Sequence, residues 1–232
     1  MRADFSLAWV YMYNYPGCGN NEMSDTKLRK LEQMAERKQT IRPDDLKRAG
    51  IPRNYLQKLV QDGKLERLAR GLYVTHKLAS SEYITLLEVT HRLSKAVICL
   101  LSALRYHELG TQSPREVWIA LPQHFHWNPK PGNAGHHPTL TYPPVRIVRF
   151  ADAAMQFGVQ EHRIGGSKIK VFSPAKTVAD CFKFRNKIGL DVALEALRET
   201  RRQRKATMDE LWAAAKVCRV ANVIKPYLES LA

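Results

Sequence analysis

Residues 40–74, TIRPDDLKRAGIPRNYLQKLVQDGKLERLARGLYV, carry the pattern from which the rest of the chain is read. Pro43 suits the first position of a helix, where its missing N–H costs nothing, and Asp44 and Asp45 lie at the positive end of that helix's dipole. Leu46 and Ala49 supply an inward face, and Gly50 is placed to close the helix in a left-handed conformation. Ile51-Pro52 opens another helix running to about Gln61, with Tyr55, Leu56, Leu59 and Val60 as its apolar side. Asp62-Gly63 turns the chain into a strand over Leu65 to Leu68, and Arg70-Gly71 turns it back through Leu72 to Val74, which makes a β-hairpin.

Upstream, from Thr26, the residues Leu28, Leu31, Met34 and Ala35 form one apolar stripe at helical spacing. Three short helices, a tight turn between the second and third, and then a hairpin give the order of a winged helix-turn-helix over residues 23–79. A helix of that kind fits the major groove of B-DNA and reaches base edges from its N-terminal half. On the third helix, Arg53, Asn54, Gln57 and Lys58 are the positions left over from the apolar side. Arginine can bind guanine, and asparagine or glutamine adenine, through two hydrogen bonds. Arg67 and Arg70 flank the hairpin and suit phosphate or the minor groove, and Arg42 at the start of the second helix suits the DNA backbone. Any helix has a polar outer face, and trihelical units with hairpins also bind proteins. Basic residues on both helix and hairpin favour double-stranded DNA.

The bulk composition agrees. Lys and Arg total 37 against 22 Asp and Glu, a formal charge of +15 that suits an anionic partner. No apolar run approaches the roughly 18 residues needed to span a bilayer, so no membrane role is read. Cys18, Cys99, Cys181 and Cys218 are scattered without a C-x-x-C pair, which fits core thiols in a reducing, cytoplasmic compartment rather than a zinc or redox site. Residues 1–22, aromatic and nearly uncharged between Phe5 and Tyr15, differ from the rest of the chain and read as an atypical extension, with Met23 as the natural start.

The run Leu28-Arg29-Lys30-Leu31, Thr40-Ile41, Asp45-Leu46, Ala49 to Pro52, Leu56 to Val60, Gly63 to Arg67 and Arg70 to Tyr73 resembles the N-terminal domain of the AbiEi family, antitoxins of type IV abortive-infection toxin–antitoxin systems. The resemblance continues through Cys99 to Leu104, Ser113 to Leu121 and Ser173 to Phe182, and so spans nearly everything after Met23. It implies a transcriptional autorepressor whose N-terminal domain binds inverted repeats in its own promoter. It also implies a C-terminal domain that counteracts a nucleotidyltransferase-like toxin without a stable complex.

For residues 80–232 the pattern predicts a larger mixed α+β domain, so the fold class is α+β throughout. Ser80 reads as the cap of a helix over Ser81 to Arg92, and Leu100 to Leu109 as a helix ending at Gly110. Val117 to Leu121 and Val145 to Phe150 read as strands, and Gly165-Gly166 as a hairpin turn between two more. Helices follow at Ser173-Pro174, over Asp191 to Gln203, and from the capping box that opens at Thr207.

Catalytic signals in this region are thin. His124 and His126 alternate in an extended loop, Pro122 to Pro144, which also holds His136 and His137; side chains at such spacing point to opposite faces and share a metal poorly. Lys176 and Asp180 are four apart on one helical side, a spacing that reads as surface support more readily than as a catalytic pair. There is no nucleotide-binding, dinucleotide or metalloprotease motif, and hence no metal, cofactor or enzyme activity is expected. Arg198, Arg201, Arg202, Arg204 and Lys205 form the densest basic cluster. They read either as ordinary helix C-terminal cations or as a second DNA patch. The alternative function is a nucleic-acid-processing α+β enzyme targeted to DNA by the winged helix.

Overall fold

The stripe of Leu28, Leu31 and Ala35 becomes the inner side of a long first helix, α1 (Gly19–Lys38), in the computed structural model, which describes residues 19–125 and 144–231. The helix starts before Met23 and so runs through the composition change there. It is followed by β1 (Thr40–Ile41), α2 (Pro43–Ala49), α3 (Asn54–Gln61), β2 (Glu66–Ala69) and β3 (Leu72–Val74). The three strands form an antiparallel sheet in the order β1-β3-β2. Helix, strand, two helices, then a hairpin that pairs back on the first strand is the element order expected of a winged helix-turn-helix.

Local chemistry explains most of it. Pro43 starts α2, and Gly50 closes it at φ 69°, with N–H bonds from Gly50 and Ile51 back to the carbonyls of Lys47 and Leu46. One detail is absent from the pattern reading and another differs from it. Thr40-Ile41 is a strand, because β3 offers it an edge with Thr40 opposite Val74 and Ile41 opposite Tyr73. Regular α3 begins at Asn54, after a turn in which Tyr55 N–H donates to the Pro52 carbonyl.

The remainder comprises α4 (His76–Ala79), α5 (Ile84–Arg92), β4 (Val97–Ile98), α6 (Leu100–His107), β5 (Val117–Pro122), β6 (Val145–Phe150) and α7 (Asp152–Gln156). Next come β7 (Val159–Ile164), β8 (Ser167–Phe172), α8 (Pro174–Lys183), α9 (Arg185–Ile188), α10 (Leu190–Arg202), α11 (Met208–Cys218) and α12 (Ala221–Glu229). Five strands make a mixed sheet in the order β6-β5-β4-β8-β7, parallel at β5/β6 and β4/β8 and antiparallel elsewhere. The fold is therefore mixed α+β, as the pattern predicts. Ser80 does not cap α5: it ends α4, its hydroxyl donating back to the carbonyls of His76 and Lys77, and α5 starts beyond it at Ile84.

Alternation along β5 divides the core. Val117, Ile119 and Leu121 face α5 and join Ile98, Ile169 and Val171, whereas Trp118 and Ala120 face the cluster built from α8, α10 and α11. A third cluster, with Leu31, Ile41, Leu46, Leu56, Leu59 and Leu65, holds the helices of the winged module. Leu72 and Val74 of β3 belong to the α5-side cluster, so the wing shares a core with residues beyond Ala79. Cys99, Cys181 and Cys218 are buried free thiols, in keeping with their reading as core residues.

On α6, His107 is 9% exposed, and its ring Nε2–H donates to the Phe172 carbonyl at 2.7 Å. Burial pushes its pKa down from 6.5 to about 4. The folded state therefore holds this ring neutral, while the unfolded chain takes up a proton below about pH 6.5. The stability contributed by neutral His107 is present above that pH and is lost as the pH falls toward about 4. Urea titrations across this window should show stability falling with a slope of at most about 1.4 kcal/mol per pH unit from this group. His107→Gln should flatten that part of the profile.

Candidate nucleic-acid interface

The side of α3 that meets the core fixes the side that does not. Leu56 and Leu59 are 3% and 0% exposed against Leu31, Ile41 and Leu46. Arg53, Asn54, Gln57 and Lys58 consequently form one exposed stripe at i, i+1, i+4 and i+5. Among the described residues none of these four side chains has a hydrogen-bond or ion-pair partner. A row of cationic and amide groups with its bonding capacity unspent, on a helix anchored from behind, can read base edges or phosphates.

Arg67 lies on β2, where the pairing with β3 shifts register, and Arg70 lies in the turn; both are exposed. The turn itself is held. Gly71 takes φ 75°, a Cβ there would stand 3.9 Å from the Pro43 ring, and His91 Nε2 bonds the Arg70 carbonyl at 3.2 Å. Because a carbonyl only accepts, that ring nitrogen carries the proton.

Arg42 is half-buried. Its guanidinium donates to Ser167 Oγ at 3.3 Å, and Ser167 Oγ donates to Thr40 Oγ1 at 3.2 Å. Its backbone N–H donates to Asp45 Oδ2 at 3.0 Å, and Lys38 Nζ meets Asp45 Oδ1 at 2.7 Å. Burial alone would raise the Asp45 carboxyl, but Lys38 and this backbone bond outweigh it and hold the group below its ordinary pKa. The structure thus brings Arg42, Arg70 and the α3 stripe into one module. It adds three participants that no local pattern announces: Thr40, His91 and Ser167. Only the glycine pair before Ser167 is visible in the sequence, as a turn.

The second basic cluster lies at the far end of α10. Arg202 pairs with Glu199 at 2.6 Å, and Lys205 donates to the His107 carbonyl. Arg201 has its Nε buried, while Arg198 and Arg204 are exposed. Part of this cluster is therefore spent on internal bonds. His124 is exposed, and His126, His136 and His137 lie outside the described residues. Among the described residues no three His, Cys, Asp or Glu side chains converge as metal ligands, and no helix is long and apolar enough to cross a membrane.

Residues 29–76 match the family model described as transcriptional regulator, AbiEi antitoxin. The resemblance read from the sequence is borne out over this segment, which runs from within α1 to the start of α4 and includes the α3 stripe and the wing. The description of that family names an antitoxin and a transcriptional regulator. The chain is also similar to the RV2827C protein from Mycobacterium tuberculosis, a solved structure, at 14% identity and a TM-score of 0.46 over 84% of this chain and 77% of that one. No curated protein matches the chain.

Lys176 and Asp180, the other candidate pair, are not surface support: both side chains are 0% exposed. Lys176 Nζ bonds Asp180 Oδ1 at 2.6 Å and stands 4.2 Å from the centre of the Phe172 ring and 4.7 Å from that of Phe150. Cys218 Sγ donates to Asp180 Oδ1 at 3.3 Å. Burial pushes the Asp180 carboxyl above its ordinary pKa, against the pull of Lys176. A sealed pair of this kind has no route to a substrate and serves the packing of α8. Removing one partner strands a buried charge, so Lys176→Ala should destabilise the protein by about 3–5 kcal/mol in urea unfolding. The paired replacement Lys176→Met with Asp180→Leu should recover most of that loss, because two well-packed apolar groups replace the pair.

Proposed function

We propose that this chain is a DNA-binding transcriptional autorepressor and antitoxin. The observation that carries the reading is the α3 stripe. Arg53, Asn54, Gln57 and Lys58 are exposed and unpartnered among the described residues, on a helix whose other side is anchored in the core by Leu56 and Leu59, in the segment that matches a regulator family. In this reading α3 enters the major groove, Arg67 and Arg70 on the wing meet phosphate or the minor groove, and Arg42 meets the backbone. The site is double-stranded DNA with inverted repeats in the protein's own promoter, bound by residues 23–79. Residues 80–232 counteract a nucleotidyltransferase-like toxin without a stable complex, in the way the family resemblance implies. A second backbone contact lies at the end of α10, carried by Arg198 and Arg204, the exposed members without an internal side-chain partner among the described residues.

The strong positive charge supports the DNA half, since each phosphate neutralised releases condensed counterions. The sealing of Lys176 and Asp180 supports a non-enzymatic role, because it removes the one catalytic pair the pattern offered. The test is binding to the region upstream of the gene, followed by fluorescence anisotropy. Arg53→Ala and Gln57→Ala should each cost about 1–3 kcal/mol for a two-bond base contact and relax base preference at the position read. Unchanged affinity and preference in both variants would remove α3 from the reading.

A further inference from the structure

We propose that the β7–β8 hairpin is a further DNA-contacting element, with Arg163, Lys168 and Lys170 meeting the phosphate backbone beside the winged module. The proposal rests on the DNA-binding reading above and adds to it a site outside residues 23–79.

Placement is the first argument. The hairpin tip is pressed against the junction between α1 and β1. A Cβ built on Gly165 would stand 2.9 Å from the Lys38 carbonyl oxygen, and one on Gly166 would stand 3.0 Å from Thr40 Oγ1. Gly165 also takes φ 57°, so the tip needs glycine both for its turn and for its close approach. Ser167, 2% exposed, bonds Thr40 and Arg42 from the first residue of β8. The hairpin is in this way fixed to the residue that starts α2, the helix that packs across the backbone when its neighbour lies in the groove.

Charge is the second. Residues directly opposite one another in an antiparallel pair share a face, and here Arg163 is opposite Lys168 and Glu161 is opposite Lys170. All four are exposed, while Ser167 and Ile169 on the other face are buried. Lys168 meets Glu161 at 2.7 Å, which leaves one acid among three cations. Two cations directly opposite repel one another. Glu161 offsets Lys168 but leaves Arg163 and Lys170 without an ion-pair partner among the described residues, and the phosphates of a duplex supply anions for them in a row, one per roughly 1.7 Å of axis. A duplex seated on α3 continues past both edges of the module, so an element fixed beside α2 meets its flanking backbone.

The experiment measures the affinity of the full chain for a mixed-sequence duplex several helical turns long, over a range of salt concentrations. Replacing Arg163, Lys168 and Lys170 together by Ala should flatten the slope of log affinity against log salt by about 0.9 for each phosphate no longer neutralised. A control with the same loss of charge, replacing the exposed Lys187, Lys216 and Lys225 by Ala, should leave the slope at the wild-type value. If the hairpin variant shows the wild-type slope, or only what the control shows, the proposal is overturned. Should the hairpin variant lose its cooperative thermal transition, Lys170→Glu carries the test by itself, with a slope flattened by about 0.9, and an unchanged slope overturning the proposal. The two readings part cleanly. If Arg53→Ala still relaxes base preference while the hairpin variant does nothing, the hairpin fails and α3 stands; if the wild-type chain binds no duplex at low salt, both fail.

Discussion

The burial of Leu72 and Val74 is the constraint on which the rest depends. These two residues of β3 are 0% exposed, and the cluster that covers them is completed by Leu86, Leu87 and Val89 of α5 and by Ile164 and Ile169 of the larger sheet. A wing in an isolated module has one face in water. Here that face is closed by residues from much further along the sequence. Fully burying two aliphatic side chains contributes about 1.5–3 kcal/mol each, enough to make separation of the two regions costly. The bonds from His91 to the Arg70 carbonyl and from Arg42 to Ser167 then set direction as well as proximity, because hydrogen bonds have geometric demands that apolar packing lacks.

It follows that the distance between α3 and the wing is not free to adjust. α3 is held by Leu56 and Leu59 in the N-terminal core, and the wing turn is held between Pro43 and His91. In the DNA-binding role proposed above, fixed spacing would cost little conformational entropy on binding and would discriminate against duplexes whose groove geometry does not match it. The region after Ala79 thereby fixes where the wing stands relative to α3.

How much of this the sequence carries depends on the range of the interaction. Gly50 closing α2, Ser173-Pro174 opening α8 and the Thr207–Glu210 capping box are local, and each has the geometry its residue types imply, with Ser173 Oγ accepting from Lys176 N and Thr207 Oγ1 from Glu210 N. The α3 stripe is legible for the same reason, since helical periodicity alone separates Leu56 and Leu59 from Gln57 and Lys58. Strands of two residues are not legible. Thr40–Ile41 and Val97–Ile98 exist only because a distant edge accepts them, β3 in one case and β5 and β8 in the other. Ser80 misleads because its hydroxyl serves the end of a helix as well as the start of one. The bond between Arg42 and Ser167 joins residues far apart in the chain, and neither residue type signals it.

Lys176 and Asp180 mislead in a more instructive way, because a signal was present on the same helix. An i,i+4 pair of opposite charges normally marks a solvated side, but Ala175, Thr177, Val178, Ala179, Cys181 and Phe182 leave α8 no polar side on which to place it. A helix that is apolar all round is a buried helix, and a charged pair on it must be buried too. Once there, the pair is stable only as a pair, and Phe150 and Phe172 add their ring faces to what Asp180 gives the ammonium. The same residue, Phe172, offers its carbonyl to His107, whose own carbonyl takes a bond from Lys205. The ion pair, the neutral imidazole and one member of the α10 basic cluster are therefore joined through a single residue at the end of β8. The strand that begins at Ser167, against the N-terminal module, ends six residues later beside the polar centre of the larger domain.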